Sequence, residues 1–117
     1  MKHESIYSII KWHTETFPEA NLNGQIEKFL DEKVEFATAS TKELRIEELA
    51  DCFIVACGIS RFNPVYGSRF LGQVFDLFTE DPSFTIASLQ DAIDAKMRVN
   101  RKRKWSKGKG NYQHVEA

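Results

Sequence analysis

Apolar side chains recur every three or four residues along most of this chain, which is the spacing of one face of an α-helix. Each segment that shows the pattern is bounded by a capping residue, a proline or a short polar turn. The predicted helices cover residues 5–17, 21 or 23 to about 40, 41 to about 62, 65–78, and 85 to about 105. We find no alternating strand pattern and no internal repeat in the sequence. The predicted fold is therefore all-α, a four-helix bundle in which residues 65–78 form one insertion helix.

The predicted helix starts coincide with side chains that can accept a hydrogen bond from a free backbone N–H group. Asn21 or Asn23 can cap the second helix, Thr41 the third, and Thr85 the last. Residues 106–117, which follow the last helix, are polar and include glycine, so we expect a flexible C-terminal tail. With 117 residues, the whole chain is expected to form a single domain.

The second half of the third helix, residues 52–59, is apolar on nearly every side, which indicates the central helix of a bundle. Its two cysteines, Cys52 and Cys57, point to different sides of that helix, so buried free thiols are favoured over a zinc site or a disulfide. The same run is too short to span a bilayer, and the N-terminus does not resemble a secretory signal. We therefore expect a cytoplasmic protein with no membrane partner.

Charge is balanced over the chain but unevenly distributed. The formal net charge is −1 with 42% hydrophobic and 28% charged residues, which favours a soluble globular protein and gives no overall attraction to nucleic acid. Half of the 16 lysines and arginines nevertheless lie between residues 96 and 109, whereas most acids lie earlier. Two oppositely charged regions in one small domain can together hold a metal ion and a polyphosphate.

Two acidic pairs are the most informative feature of the sequence. Glu32 and Glu35 lie in the second predicted helix, and Glu48 and Asp51 lie in the third. The i, i+3 spacing puts both members of a pair on one helical face, next to apolar positions, whereas Asp31 points to solvent. A single such pair is usually a solvated face, but two pairs on consecutive antiparallel helices can meet. Grouped carboxylates without histidine favour a hard cation such as Mg²⁺, with Mn²⁺ as a substitute.

The last predicted helix carries a second group of polar residues. Lys96, Asn100 and Arg103 follow one another at i, i+4 and i+7, so they are expected on one helical face, where they can bind phosphate oxygens. A basic helix end is also favoured by the helix dipole, and for Arg101 and Lys102 that explanation is preferred.

These motifs resemble those of the MazG-type, all-α nucleoside triphosphate pyrophosphohydrolases. The segments LDEKVE and EELAD match the family motif ExxE, a spacer, then ExxD, and KMRVNRKRKW resembles the segment K-x-x-x-N-x-x-R-x-W of its last helix. The resemblance extends from about Trp12 to Trp105. Residues 63–83 form a longer connection than the family's minimal members have.

The resemblance implies an enzyme that hydrolyses a nucleoside triphosphate, ribo or deoxy, to a monophosphate and pyrophosphate, cleansing or controlling a nucleotide pool. It implies one or more Mg²⁺ ions held by the four acids, with Glu35 as the suggested general base. It also implies a homodimer or homotetramer. The residues expected to contact the substrate are Lys96, Asn100, Arg103, Trp12 and Trp105.

Three polar residues near this predicted site allow a simpler structural role. Gln25 and Asn21 can offer hydrogen bonds to a base edge, but a solvent-facing amide is the preferred interpretation for Gln25 and an N-cap for Asn21. Lys33 falls within the apolar arc of its helix and can either extend to solvent or point at the acids or a phosphate. A tryptophan at helical spacing is more often part of the core, so base stacking by Trp12 is the less frequent of its two roles.

Two other classes of function stay open at the level of sequence. The chain can be a non-catalytic helical interaction protein whose acids form a solvated face. It can also bind single-stranded nucleic acid through the basic C-terminal helix, with Trp105 and Tyr112 stacking on bases, although the net charge makes this less favoured.

Overall fold

The fold of the computed structural model is all-α, and the structure describes residues 2–107 and 112–115, with side chains described as far as residue 105. Five helices account for nearly all of its regular structure, and two short strands follow them. Their bounds are α1 Ile6–Thr16, α2 Leu22–Thr38, α3 Lys42–Phe62, α4 Pro64–Glu80, α5 Ile86–Asn100, β1 Lys104–Lys107 and β2 Tyr112–Val115.

Each helix starts directly after a side chain that accepts a hydrogen bond from the first turn, and for α2, α3 and α5 this residue is one that the sequence predicted. Asn21 is the cap of α2, because its Oδ1 accepts from the Gly24 N–H at 2.8 Å. Thr41 and Thr85 cap α3 and α5. The caps of α1 and α4 are Ser5 and Asn63.

Helix α3 is the centre of the molecule, and it packs against each of the other four helices. Residues 52–59 are all buried, so the prediction of a central helix is confirmed. The thiols of Cys52 and Cys57 are buried and free, and burial raises the pKa of each to about 12. Among the described residues, no helix combines the length and the apolar character needed to cross a membrane.

The C-terminal part of the chain departs from the prediction. Helix α5 ends at Asn100 instead of continuing to about residue 105, and Lys104–Lys107 pair with Tyr112–Val115 in an antiparallel ladder. A longer helix would hold the consecutive cations 101–104 on one turn, where like charges repel. The structure thus gives regular strand pairing to part of the predicted tail, residues 106–107 and 112–115, whose flexibility stays a prediction. Residues 108–111 and 116–117 lie outside the described part.

Candidate metal centre and its cavity

Three of the four predicted metal ligands meet between α2 and α3, two helices that pack closely along their length. One carboxylate oxygen each from Glu32, Glu48 and Asp51 lie within 4.8 Å of one another. Glu35 lies outside this triad, and its side chain is exposed, although it lines the same cavity. The triad follows from the i, i+3 spacing, which turns Glu48 and Asp51 towards α2 and Glu32 towards α3.

Two oxygens of the triad have no hydrogen-bond partner. In the described part of the chain, Oε2 of Glu32 and Oε2 of Glu48 are the buried side-chain polar atoms without one. Buried polar atoms in folded proteins are nearly always paired, since an unpaired one costs about 1–3 kcal/mol. These two carboxylate oxygens of one cluster therefore lack a compensating partner among the described residues.

The electrostatics of the triad lead to the same conclusion. Burial raises the pKa of Glu32 to about 9, and the negative charge of Asp51 adds to the effect. Burial also raises the pKa of Glu48, again with a contribution from Asp51. The pKa of Asp51 is raised by burial, although Lys96 opposes the shift. A divalent cation in such a cluster would supply the charge that stabilises all three carboxylates in their ionised form.

The donor set matches a hard cation. It consists of carboxylate oxygens, which Mg²⁺ and Mn²⁺ prefer, and neither a histidine nor a thiolate is among its members. Glu32, Glu48 and Asp51 would hold the ion, and Glu35 is close enough that its charge contributes to raising the pKa of Glu32. The residues present therefore fit Mg²⁺.

Lys96 makes the ion pair that the structure describes for the triad, and the charge of Lys28 also opposes the upward pKa shifts of Glu32 and Asp51. Its Nζ lies 3.2 Å from Oδ2 of Asp51. Burial tends to lower the pKa of Lys96, but the charge and hydrogen bond of Asp51 outweigh it, so that the pKa is raised and the ammonium stays protonated. The sequence predicted that Lys96 contacts a phosphate, whereas in the structure its ammonium group pairs with Asp51 of the triad.

A cavity of about 330 Å³ opens beside the triad, within the size range of small-molecule sites. All nine predicted site residues line it. They are Trp12, Glu32, Glu35, Glu48, Asp51, Lys96, Asn100, Arg103 and Trp105. Residues from α1, α2, α3, α5 and the segment after α5 thus converge on one space, as the predicted site requires.

Arg103 lines this cavity from the turn after α5, and not from the helix as predicted. It lies beyond the end of α5, so it does not share a helical face with Lys96 and Asn100. The turn that follows the helix, in which the Arg103 N–H donates to the Asn100 carbonyl at 3.3 Å, leaves its exposed side chain at the cavity rim. The prediction that Lys96, Asn100 and Arg103 share one helical face is wrong, but all three residues line the same cavity.

The end of the cavity away from the acids is aromatic. The rings of Trp12 and Phe17 meet edge to face with centroids 5.1 Å apart, and Trp105 meets Phe17 at 5.0 Å. Trp12 is only 7% exposed, so it is primarily part of the core. The half-buried Trp105 donates its indole N–H to the Asn100 carbonyl at 3.3 Å, which fixes its ring.

Several cavity residues were missed or misjudged at the level of sequence. His13 and Gln25 are 3% exposed each and hydrogen-bond to one another, so the solvent-facing amide expected for Gln25 is wrong. Lys28 also lines the cavity, one turn before Glu32, a spacing visible in the sequence. Lys33 does not point at the acids, because its Nζ donates to Oε1 of Gln73 on α4 at 3.0 Å. The remaining lining residues are Phe17, Ile54 and Val55.

The basic C-terminal region is partly committed within the protein. Arg101 donates twice to the carboxylate of Glu4, from Nε at 3.0 Å and from Nη2 at 2.8 Å. This pair ties the N-terminal segment to the end of α5. The Arg101 guanidinium, one of the cations that a nucleic-acid surface would need, is therefore already in an ion pair.

Comparison with protein-family models, with curated proteins and with solved structures finds no match to this chain. Membership of the MazG-type family, inferred from the motifs, stays a prediction.

Proposed function

We propose that this protein is a Mg²⁺-dependent nucleoside triphosphate pyrophosphohydrolase built on a MazG-type four-helix bundle. The observation that carries the proposal is the pair of orphaned carboxylate oxygens in a triad of acids at one end of a cavity whose other end is aromatic. An acid cluster that needs a cation suits a polyphosphate carried on Mg²⁺, and an aromatic end suits a nucleobase.

The proposed role of each residue follows from its position along the cavity. Bound Mg²⁺ supplies charge neutralisation at the phosphate oxygens and makes water more acidic. Glu32, Glu48 and Asp51 hold the ion. Lys28 and Arg103, two cations that line the cavity and have no ion pair in the described part of the chain, contact phosphate oxygens.

Glu35 is the proposed general base because it lies beside the triad and its carboxylate is exposed to water. It accepts the proton of the attacking water as the new phosphorus–oxygen bond forms. The phosphoanhydride bond between the α- and β-phosphates breaks, which gives a nucleoside monophosphate and pyrophosphate. Lys96 orients Asp51 through their ion pair and favours its ionised form against the effect of burial.

The proposed assembly is at least a homodimer. Large apolar side chains stay exposed on the outer helices, among them Leu30 and Val34 of α2, which are 51% and 62% exposed, and Phe75 of α4 at 50%. Light scattering coupled to size-exclusion chromatography tests this part of the proposal, and a monomer at micromolar concentration would contradict it.

The test of the activity is hydrolysis of a panel of standard and modified nucleoside triphosphates, with Mg²⁺, with Mn²⁺ and with EDTA. Metal-dependent release of pyrophosphate is the expected result, and it should be lost in Glu48→Gln. The matched control is Glu43→Gln, an exposed acid on the same helix that does not line the cavity.

Two outcomes would overturn the proposal. Direct release of orthophosphate would mean that a different bond is cleaved. No turnover, together with no thermal stabilisation by Mg²⁺ and nucleotide, would favour a non-catalytic helical interaction protein.

A further inference from the structure

Gln25 is an amide that the fold holds in one orientation inside the cavity. Its side chain is 3% exposed, and its Oε1 lies 3.0 Å from Nε2 of His13. The protonation state of His13 decides which end of the amide faces the cavity, and the groups around His13 determine that protonation state.

Arg61 determines the protonation of His13. A guanidinium group donates hydrogen bonds and never accepts them. Nη1 of Arg61 lies 3.0 Å from Nδ1 of His13, and the same nitrogen donates to the Phe17 carbonyl at 2.7 Å. Nδ1 must therefore be the acceptor, and the ring is neutral with its proton on Nε2, consistent with a pKa lowered by burial to about 4.

The proton on Nε2 in turn determines the amide of Gln25. An Nε2–H group can only donate, so its partner at 3.0 Å must be the amide oxygen. Gly58 of α3 lies against this hydrogen bond, since a Cβ atom there would be 2.8 Å from Nε2 of His13 and 2.9 Å from Oε1 of Gln25. The amide is thus held from two sides, and its NH₂ group is left over.

The NH₂ group of Gln25 has no hydrogen-bond partner among the described residues, and it is not one of the fully buried orphaned atoms, so it stays accessible from the cavity that Gln25 lines. Three other polar atoms of this aromatic end are committed: both ring nitrogens of His13 are bonded, and the indole N–H of Trp105 donates to a carbonyl. Gln25 therefore offers a ligand the two donors of its NH₂ group, while its amide oxygen already accepts from His13.

We propose that Gln25, held by Arg61 and His13, makes the cavity selective for nucleobases that present a carbonyl oxygen over those that present an amino group at the same position. This inference rests on the proposed nucleotide site. The preferred substrates are the uracil, thymine, guanine and hypoxanthine nucleotides. Cytosine and adenine would direct an N–H donor at the Gln25 donors, leaving both unpaired in a partly buried site.

Matched substrate pairs test the selectivity. dUTP and dCTP differ at the 4-position of the pyrimidine, and dITP and dATP at the 6-position of the purine. We expect the carbonyl member of each pair to bind at least about tenfold more tightly, a difference typical of one unpaired buried donor. Dissociation constants of the non-hydrolysable α,β-methylene analogues of these nucleotides are measured with Mg²⁺ by the fluorescence of the cavity tryptophans, so binding is read separately from hydrolysis.

Variants of Gln25 test the assignment to this residue. Gln25→Glu replaces the donors by acceptors and should reverse the preference within each pair. Gln25→Met keeps the shape without hydrogen bonds and should bring the ratio of the two dissociation constants close to one. An unchanged ratio in Gln25→Met would overturn the proposal, even if the variant binds all nucleotides more weakly.

Arg61→Met tests the positioning role. The substitution lets His13 carry its proton on either nitrogen, so the amide can turn, and the ratio should fall while binding of the carbonyl nucleotide changes less. Arg69→Met, at an exposed position on α4, is the control. Circular dichroism confirms that each variant is folded, and an Arg61→Met protein with the wild-type ratio would exclude Arg61 as a positioning residue.

The outcomes separate this inference from the proposed function. Selective binding without hydrolysis would overturn the activity and support the base selectivity. Hydrolysis with no discrimination within the pairs would do the opposite. Absence of binding by any nucleotide would overturn both.

Discussion

The two ends of the cavity differ in whether their ionisable side chains have hydrogen-bond partners. At the acidic end, Glu32 and Glu48 bury oxygens without partners, and burial raises the pKa of both. At the aromatic end, both nitrogens of His13 are bonded and the ring is neutral. The unpaired carboxylate oxygens show where a ligand must bring positive charge, whereas the hydrogen-bonded ring of His13 fixes the geometry that the ligand meets. A substitution should therefore have opposite effects on stability at the two ends.

The largest expected effect separates metal binding from proton transfer within the acidic end. Glu35→Gln should lower kcat by about a hundredfold or more, because the general base is lost. The triad is intact in this variant, so Mg²⁺ should still stabilise it against thermal unfolding. A variant that loses the Mg²⁺ stabilisation would show instead that Glu35 is a ligand.

At the aromatic end, filling the space beside the paired groups should destabilise the protein. Gly58→Ala places a methyl group against His13 and Gln25 at under 3 Å and should lower the free energy of unfolding by about 1–3 kcal/mol. Gly72→Ala, whose added Cβ would meet nothing within 4 Å, should stabilise by up to about 1 kcal/mol. Equal stability of the two variants in urea titrations would contradict the close packing described for this end.

At the acidic end, replacing a carboxyl group whose ionisation is disfavoured in the folded state should stabilise the metal-free protein. Glu32→Gln removes a carboxylate that burial and Asp51 both disfavour and should raise the free energy of unfolding in EDTA by about 1–2 kcal/mol. The variant should also lose the stabilisation by Mg²⁺. Glu27→Gln, an exposed position on the same helix, is the control, and destabilisation by Glu32→Gln would mean that the triad is structural.

The last expected effect is the pH dependence of stability without metal. Glu32 has a pKa of about 9 in the folded protein against a usual value of 4.5, so between these values the folded state holds a proton that the unfolded state has released. Stability is therefore lost as pH rises through this range, by up to about 1.4 kcal/mol per pH unit.

His13 has the opposite sign but acts only between about pH 4 and 6.5, where stability rises with pH. Urea titrations between pH 6.5 and 8 therefore isolate the carboxyl contribution. Glu32→Gln should reduce the slope in this interval, and an unchanged slope would contradict the assignment to Glu32.

The helices were predictable because their signals are local. Asn21, Thr41 and Thr85 cap the helices that the apolar spacing outlines, and the same spacing distinguishes Glu32 from the neighbouring Asp31. The acidic triad was predictable for the same reason, since two consecutive helices with matched pairs have few ways to pack.

The aromatic end was less predictable because its contacts are not local. Nothing near Gln25 in the sequence shows that His13 and Arg61 hold it, because these residues lie on three different helices. The end of α5 was misplaced for a related reason. Helical spacing continues through the basic run, but Trp105 packs on Phe17 of the first helical segment, and the strand pairing that follows depends on residues still further along.

The contact between Trp105 and Trp12 has a consequence for the order in which the cavity assembles. The acidic triad needs only α2 and α3, an adjacent helical hairpin with short loop closure. The aromatic wall joins segments 93 positions apart in the sequence, with ring centroids at 6.2 Å. We therefore expect the binding space to be completed only when the C-terminal segment docks, because contacts between distant segments cost more loop-closure entropy than local ones.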